Sequence, residues 1–548
     1  MPQRADRAPG GIHTLRRVIM LLLLAILVSV AAAGATGLLG IVLDPGTVLE
    51  DNGYFLAQSV ASVVIAAPLG ALVYWLTLRW LARFDDRRSV LWPVYLAVVG
   101  TVALLVGLTA MLATLADAVS GEWRPDSFAL GLVWLAVWAW HAWMWHSPRH
   151  APTRLAAVSP SLAVLVGIGF AIAGVVSALG VLFRSALLGS TSLLVGADHW
   201  WMPVLQQLVW AAGGALVWAW HWWGRGIRRS SAAFARFTLV VVSGFLAAAV
   251  TLGGLASLAY CVLALTLGVD GSAFAMARES RDLLDQLATA VAAAVSGVLV
   301  WAMHRAAVAD ATTSVRWSAR LVASGVALAF AASGFGVVVN AGLAALSGSL
   351  AGDERSLLFG GLAALVVGAL AWVVLWRPHD PGDETPGESW TAFAGRRAYL
   401  VIVFGVSALV AVVTLLVIAY GIVQSVIGVP WSESIIESIR QPLGLLTATA
   451  LVAVYHFVVW RRSAPYPGLE RAAARIEHVT LVAAGVTDAL VEQLRTATGA
   501  KITVWAPHDE YPPADAAALV RALDEVRGEH VLVVTTSGGV EVVRLAAE

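Results

Sequence analysis

Twelve apolar runs, each close to the thickness of a bilayer, alternate with short polar stretches along most of the chain. They fall at 15–43, 55–80, 90–118, 127–145, 154–188, 202–223, 234–267, 283–304, 318–346, 357–376, 398–426 and 436–460. A helix needs about 20 consecutive apolar residues to cross the hydrocarbon core. Lipid tolerates only helices and closed barrels, and the runs lack the two-residue alternation of barrel strands. The pattern predicts an all-α transmembrane bundle of about 12 helices.

After Arg461-Arg462 the pattern changes. Residues 463–475 begin with a proline-containing stretch and read as a linker. Strand-like segments follow at 478–483, 501–506, 530–535 and 540–545, with helical segments at 486–498 and 514–526. The last two strands, joined through Ser537-Gly538-Gly539, read as a hairpin. Residues 476–548 are thus a small C-terminal α/β domain. The Gly485 and Gly499 turns carry single glycines, with no glycine-rich phosphate-binding loop.

The runs pair into a repeat. The phrase Val137-Trp138-Ala139-Trp140-His141 recurs as Val217-Trp218-Ala219-Trp220-His221, and more loosely as Val300-Trp301-Ala302-Met303-His304. The spacings are 80 and 83 residues. Degenerate copies end at Thr77, at Leu375 and at His456. A long fixed period means one structural module reused. Six helix pairs result, at about 15–80, 90–146, 154–225, 234–305, 318–377 and 398–462, preceded by an N-terminal tail, 1–14. Glycine and alanine are frequent within the runs, which suits close helix packing.

Composition agrees with the membrane assignment: 59% of the 548 residues are hydrophobic and 13% charged. The 35 basic and 35 acidic residues cancel, so nothing points to nucleic acid as a partner. The lone Cys261 excludes internal disulfides and cysteine-based metal sites. Charge placement sets orientation. Arg16, Arg17, Arg79, Arg83, Arg228, Arg229, Arg305, Arg396, Arg397, Arg461 and Arg462 lie with the tail or at the Trp/His ends, whereas the opposite side has only Arg124, Arg184, Arg278, Arg281, Arg355 and Arg440. The positive-inside rule puts both termini and the Trp/His ends in the cytoplasm, here of a bacterial inner membrane.

Candidate chemistry concentrates at those ends. Trp138 with His141, Trp218 with His221, Trp301 with His304, and His456 share a depth and form a candidate inner-interface ring. Three functional readings fit: a headgroup site, a pore vestibule, or a histidine pair for haem. The simpler reading is an aromatic belt at the headgroup level. No histidine pair stands out as axial ligands, so no cofactor and no metal is expected. Arg228 and Arg229 beside Trp222-Trp223 are the best candidates for a lipid headgroup. Asn340, deep in the ninth run, is the main internal polar residue, suited to an interhelical hydrogen bond or to a cavity wall. No zinc-protease helix or nucleophile elbow occurs, and the adjacent His508, Asp509 and Glu510 need no catalytic explanation.

Two of these phrases carry a resemblance. Arg396-Arg397-Ala398-Tyr399-Leu400-Val401 at the opening of a repeat, and Trp218-Ala219-Trp220-His221-Trp222 at a close, resemble an uncharacterised family of bacterial multi-pass membrane domains found in tandem. The resemblance covers roughly residues 80 to 462, and Thr77 and Leu375 depart from it. It implies tandem helix pairs and assigns no activity or catalytic residue. The functional expectation is a non-enzymatic membrane scaffold or sensor, in contact with lipids and with a cytoplasmic protein partner through the C-terminal domain. The alternative is a transporter or channel for a lipid-like or weakly polar solute.

Overall fold

A computed structural model describes residues 10–44, 53–84, 89–188, 201–268, 273–347, 353–377, 393–427, 435–462, 476–505, 515–524, 526, 528–536 and 539–545. The first nine residues, the linker and His508-Asp509-Glu510 lie outside them. Among the described residues, twelve helices are long and apolar enough to cross a membrane. They come in the six pairs that the sequence pattern predicts. The first repeat is α1 (Gly10–Leu43) with α2 (Gly53–Phe84), the second α3 (Leu91–Val119) with α4 (Pro125–His146), and the third α5 (Val158–Leu188) with α6 (Trp201–Ala219). In the fourth, α7 (Ala233–Val240) runs through a π turn (Val241–Leu246) into α8 (Ala247–Leu267) as one span, followed by α9 (Ala273–Ala309). The fifth is α10 (Thr313–Ser347) with α11 (Asp353–Trp376), and the sixth α12 (Ala394–Val426) with α13 (Ile435–Arg462).

The chain divides into two compact bodies, Met1–Pro378 with Gly405–Ala453, and His379–Phe404 with Val454–Glu548. In the first body, glycine sets the spacing within each hairpin. A Cβ built on Gly174 of α5 would fall inside the van der Waals radius of the Ala211 amide in α6, and one on Gly254 of α8 would meet the Ala294 amide in α9. Gly334 of α10 stands in the same relation to Leu365 of α11. The paired backbones therefore touch directly, which gives extensive dispersion contact where lipid supplies no hydrophobic drive.

The repeats stack by one recurring rule. The first helix of a repeat packs against the second helix of the next: α1 on α4, α3 on α6, α5 on α9, and α8 on α11. The same rule brings α10 to α13, where Gly444 sits against the Gly336 carbonyl.

In the second body the C-terminal segment forms β1 (Ile476–Val482), α14 (Asp488–Thr498), β2 (Lys501–Trp505), α15 (Ala516–Asp524), β3 (Gly528–Thr536) and β4 (Gly539–Leu545). The sheet order is β2-β1-β3-β4, parallel except for the antiparallel β3–β4 pair. Alternation buries Val479, Leu481, Val531 and Val533 against Leu490 and Leu494 of α14 and Leu519 and Leu523 of α15. Thr487 caps α14 by accepting from the Leu490 amide, and Gly499 ends that helix with φ +71°.

Two neighbouring glycines test the close-approach account. Gly254→Ala should destabilise the protein by about 1–3 kcal/mol through overpacking. Gly253→Ala, whose Cβ would meet only the Phe330 ring at 3.7 Å, should be neutral or stabilising by up to about 1 kcal/mol. Thermal unfolding in detergent separates them, and equal shifts would remove close backbone contact as the basis of the hairpins.

Candidate functional site: the Trp–His seam between repeats

Two of the histidines that end the repeats, His221 and His304, share a helix face with a glycine. Gly214 precedes His221 by seven residues, Gly297 precedes His304 by seven, and Gly70 and Gly368 stand seven before Thr77 and Leu375. Seven residues are nearly two turns, so both positions face the same way. Since Gly214 and Gly297 face the partner helix of their own hairpin, the imidazoles turn inward too. His141, His221, His304 and His456 are all buried. Trp218 and Trp222 are buried with them, whereas Trp220, Trp223 and Trp301 are exposed on the outer surface.

Three of the imidazoles are fixed by their own helices. Nδ1 of His141, His221 and His304 lies 2.8 Å from the carbonyl oxygen of Val137, Val217 and Val300 respectively. A carbonyl only accepts, so Nδ1 carries the proton and Nε2 presents a lone pair. In the second repeat that lone pair accepts from the Tyr95 hydroxyl at 3.3 Å. In the fourth, His304 Nε2 is buried without a protein partner, and so is the Trp218 Nε1–H donor. Their rings are 5.6 Å apart. One water between them would satisfy both groups.

The tryptophan of each phrase meets the histidine of the next repeat. Trp138 lies edge-on to His221 with ring centroids 6.4 Å apart. Trp218 and Trp222 both lie against His304, at 5.6 and 4.9 Å. At the first junction Tyr74, three residues before Thr77, meets Trp140 edge-on at 4.9 Å. The phrase is therefore one half of a seam and the next repeat supplies the other half. In the second body His456 packs on Tyr399 at 5.8 Å.

The fourth junction departs from this rule. Leu375 stands where the fifth repeat lacks its histidine, and Trp301 stays 51% exposed against 5% for Trp218. A cavity of about 430 Å³ opens there, lined by Trp301, Leu375, Arg316, Arg320 and the α7–α8 wall from Ser243 to Leu252. A second, of about 490 Å³, lies at the opposite ends of the same helices and holds Gln286, Tyr260 and Ser356 among its lining. The Tyr260 and Ser356 hydroxyls are 2.7 Å apart.

The remaining candidate residues fall elsewhere. Arg228 and Arg229 form a 3₁₀ turn after Gly226, whose φ is +72°. They line a cavity of about 580 Å³ together with Arg236 and Asp310, over Trp222 and Ile227. Asn340 is buried and accepts from Arg440 Nη1 at 3.0 Å, joining α10 to α13. Nothing in the sequence singled out Arg440, which lies 100 residues away in the chain. Among the described residues no cluster of His, Cys, Asp or Glu is arranged to hold a metal ion.

The same motif position should respond differently at the two junctions. Trp218→Ala should cost about 3–5 kcal/mol as a buried large-to-small change. Trp301→Ala should cost less than half as much. Detergent melting curves of the two variants check this, and equal losses would dissolve the distinction between sealed and open seams.

Comparison with known proteins adds one match. Residues 318–455, which span the fifth repeat and nearly all of the sixth, match the model of a domain of unknown function, DUF5671. No match to the chain is found among curated proteins or solved structures. Over about a quarter of its length, then, this multi-pass helical protein is similar to an uncharacterised domain.

Proposed function

We propose that this membrane protein is a non-enzymatic scaffold or sensor, a stack of helix hairpins carrying a tethered α/β domain on the cytoplasmic side of a bacterial inner membrane. One observation carries the reading. Trp138, Trp218, His221 and His304, the groups best suited to a ligand ring or pore vestibule, are taken up in packing between repeats, and Nδ1 of three of the imidazoles is committed to its own helix. Groups used this way support rigidity. The arginine asymmetry supports the orientation.

A transporter for a lipid-like solute is the second reading, favoured by the paired cavities at the fourth junction. They open towards opposite ends of α8, α9, α10 and α11. Gly253, with Phe330 against it, lies between their walls along α8 and α10.

Three measurements decide. Deleting residues 466–548 should leave a bundle that still inserts but loses the proteins crosslinked to the full chain in native membranes. Partners retained by the truncated chain would overturn the scaffold reading. Reconstituted vesicles should flip a fluorescent phospholipid no faster than protein-free vesicles, and acceleration that Gly253→Leu abolishes would establish transport instead. For orientation, Ser230→Cys should react with an impermeant maleimide only when the cytoplasmic face is open, with little background because Cys261 is buried.

A further inference from the structure

We infer that the junction between the fourth and fifth repeats holds one anionic phospholipid, its acyl chain in the cavity beneath Trp301 and its phosphate against Arg316. The inference is independent of whether the protein moves solutes.

The first support is the defect itself. At the preceding junction an imidazole and two indoles pack on one another at the corresponding motif positions. Here Leu375 replaces the imidazole, Trp301 remains half-exposed, and about 430 Å³ is left open. That volume falls within the about 300–1,000 Å³ of small-molecule sites.

The second is shape. The cavity wall from Ser243 to Leu252 spans about 13 Å at 1.5 Å per residue. That is close to half of the about 30 Å hydrocarbon core, the depth of one leaflet. The lining is mostly alanine, leucine and valine, and Val298 and Trp301 on its edge are exposed on the outer surface, where lipid lies. An acyl chain therefore enters sideways without crossing a polar barrier.

The third is charge. Among the described residues, Arg316 and Arg320 are the charged groups lining the cavity, and both sit at its arginine-rich end. Arg320 has a structural task. Its Nε donates to the Leu375 carbonyl at 2.8 Å, and its Nη2 to those of Arg377 at 3.1 Å and Val374 at 3.3 Å, closing the end of α11. Arg316, four residues earlier on the same face, is exposed and donates to Thr313 Oγ1 at 3.2 Å. No carboxylate stands among the described lining residues, so for Arg316 a phosphate one helical turn above the apolar wall is the complementary charge.

The fourth is the π turn at Val241–Leu246, which places buried Ser243 in the cavity wall. Such turns cost regular hydrogen bonding and are frequent at functional sites.

The test uses the full-length protein in detergent, delipidated and offered phosphatidylglycerol or phosphatidylcholine with identical chains, read by native mass spectrometry. The wild type should retain one phosphatidylglycerol, preferred at least five-fold over phosphatidylcholine. Arg316→Gln should abolish the preference while leaving the melting temperature unchanged, and Arg236→Gln, at the other arginine cavity, should not. Leu375→His and Ala323→Leu, which fill the cavity from different helices, should lower retention of both lipids. The inference fails if the wild type shows no preference or if Arg316→Gln and Arg236→Gln act alike, which indicates generic surface charge. It also fails if inorganic phosphate competes with the lipid at equal concentration, which indicates a headgroup site without a chain.

Discussion

Inside a bilayer, apolar side chains gain little by leaving lipid for one another, so the hairpins depend on how closely two backbones can approach. That constraint explains the placement of glycine. Gly174, Gly254 and Gly334 each sit where the backbone of the partner helix leaves no room for a Cβ. Close approach raises the number of dispersion contacts per turn without asking any side chain to order itself. The hairpin is thus the rigid piece, and everything between hairpins is fitted to it.

Large aromatic groups do the fitting. A hairpin whose two backbones touch has little left inside to recognise a neighbour, so the seam is made by the ends of the second helices. Bonding Nδ1–H to the carbonyl four residues earlier fixes both tautomer and ring plane, giving a flat plug with its polar edge partly satisfied. The preceding tryptophan then meets that plug edge-on or tilted, geometries that aromatic pairs favour. Where Leu375 breaks the series, Arg320 crosses to the α11 carbonyls, but its fork does not fill the volume that an imidazole and its indole partners would. A local rule broken without full compensation is where function is expected to sit.

The number of spans, their pairing and the C-terminal strands were legible because each rests on one-dimensional periodicity. The direction of the imidazoles was not. A histidine near a helix end reads as an interfacial group, and depth alone does not say whether it faces lipid or protein. For His221 and His304 the signal was present as the glycine seven residues earlier, which marks the packed face. The seam itself joins Trp138 to His221 and Trp218 to His304. No window shorter than a whole repeat contains either pair, and the partner assignment follows from the stacking rule of first helix on following second helix. Asn340 shows the same limit. Its burial follows from its apolar neighbours, but its donor, Arg440, belongs to a different repeat, 100 residues away in the chain.

Stacking in chain order makes stability nearly a sum of hairpins and seams, so one weak seam can be kept without unfolding the rest. The matched family segment begins at residue 318, in the first turns of α10 and on the far side of the open junction. It contains two hairpins, nearly complete, joined through Gly336, Gly444 and the Asn340–Arg440 bond. A two-hairpin piece carries one internal seam and leaves its outer faces to whatever adjoins it. In this chain the fifth repeat meets the fourth across the cavity beneath Trp301, so an open contact coincides with the edge of the matched segment. A join of that kind tolerates an adaptable filler better than a fitted side chain, and a lipid chain is the filler that the membrane always supplies.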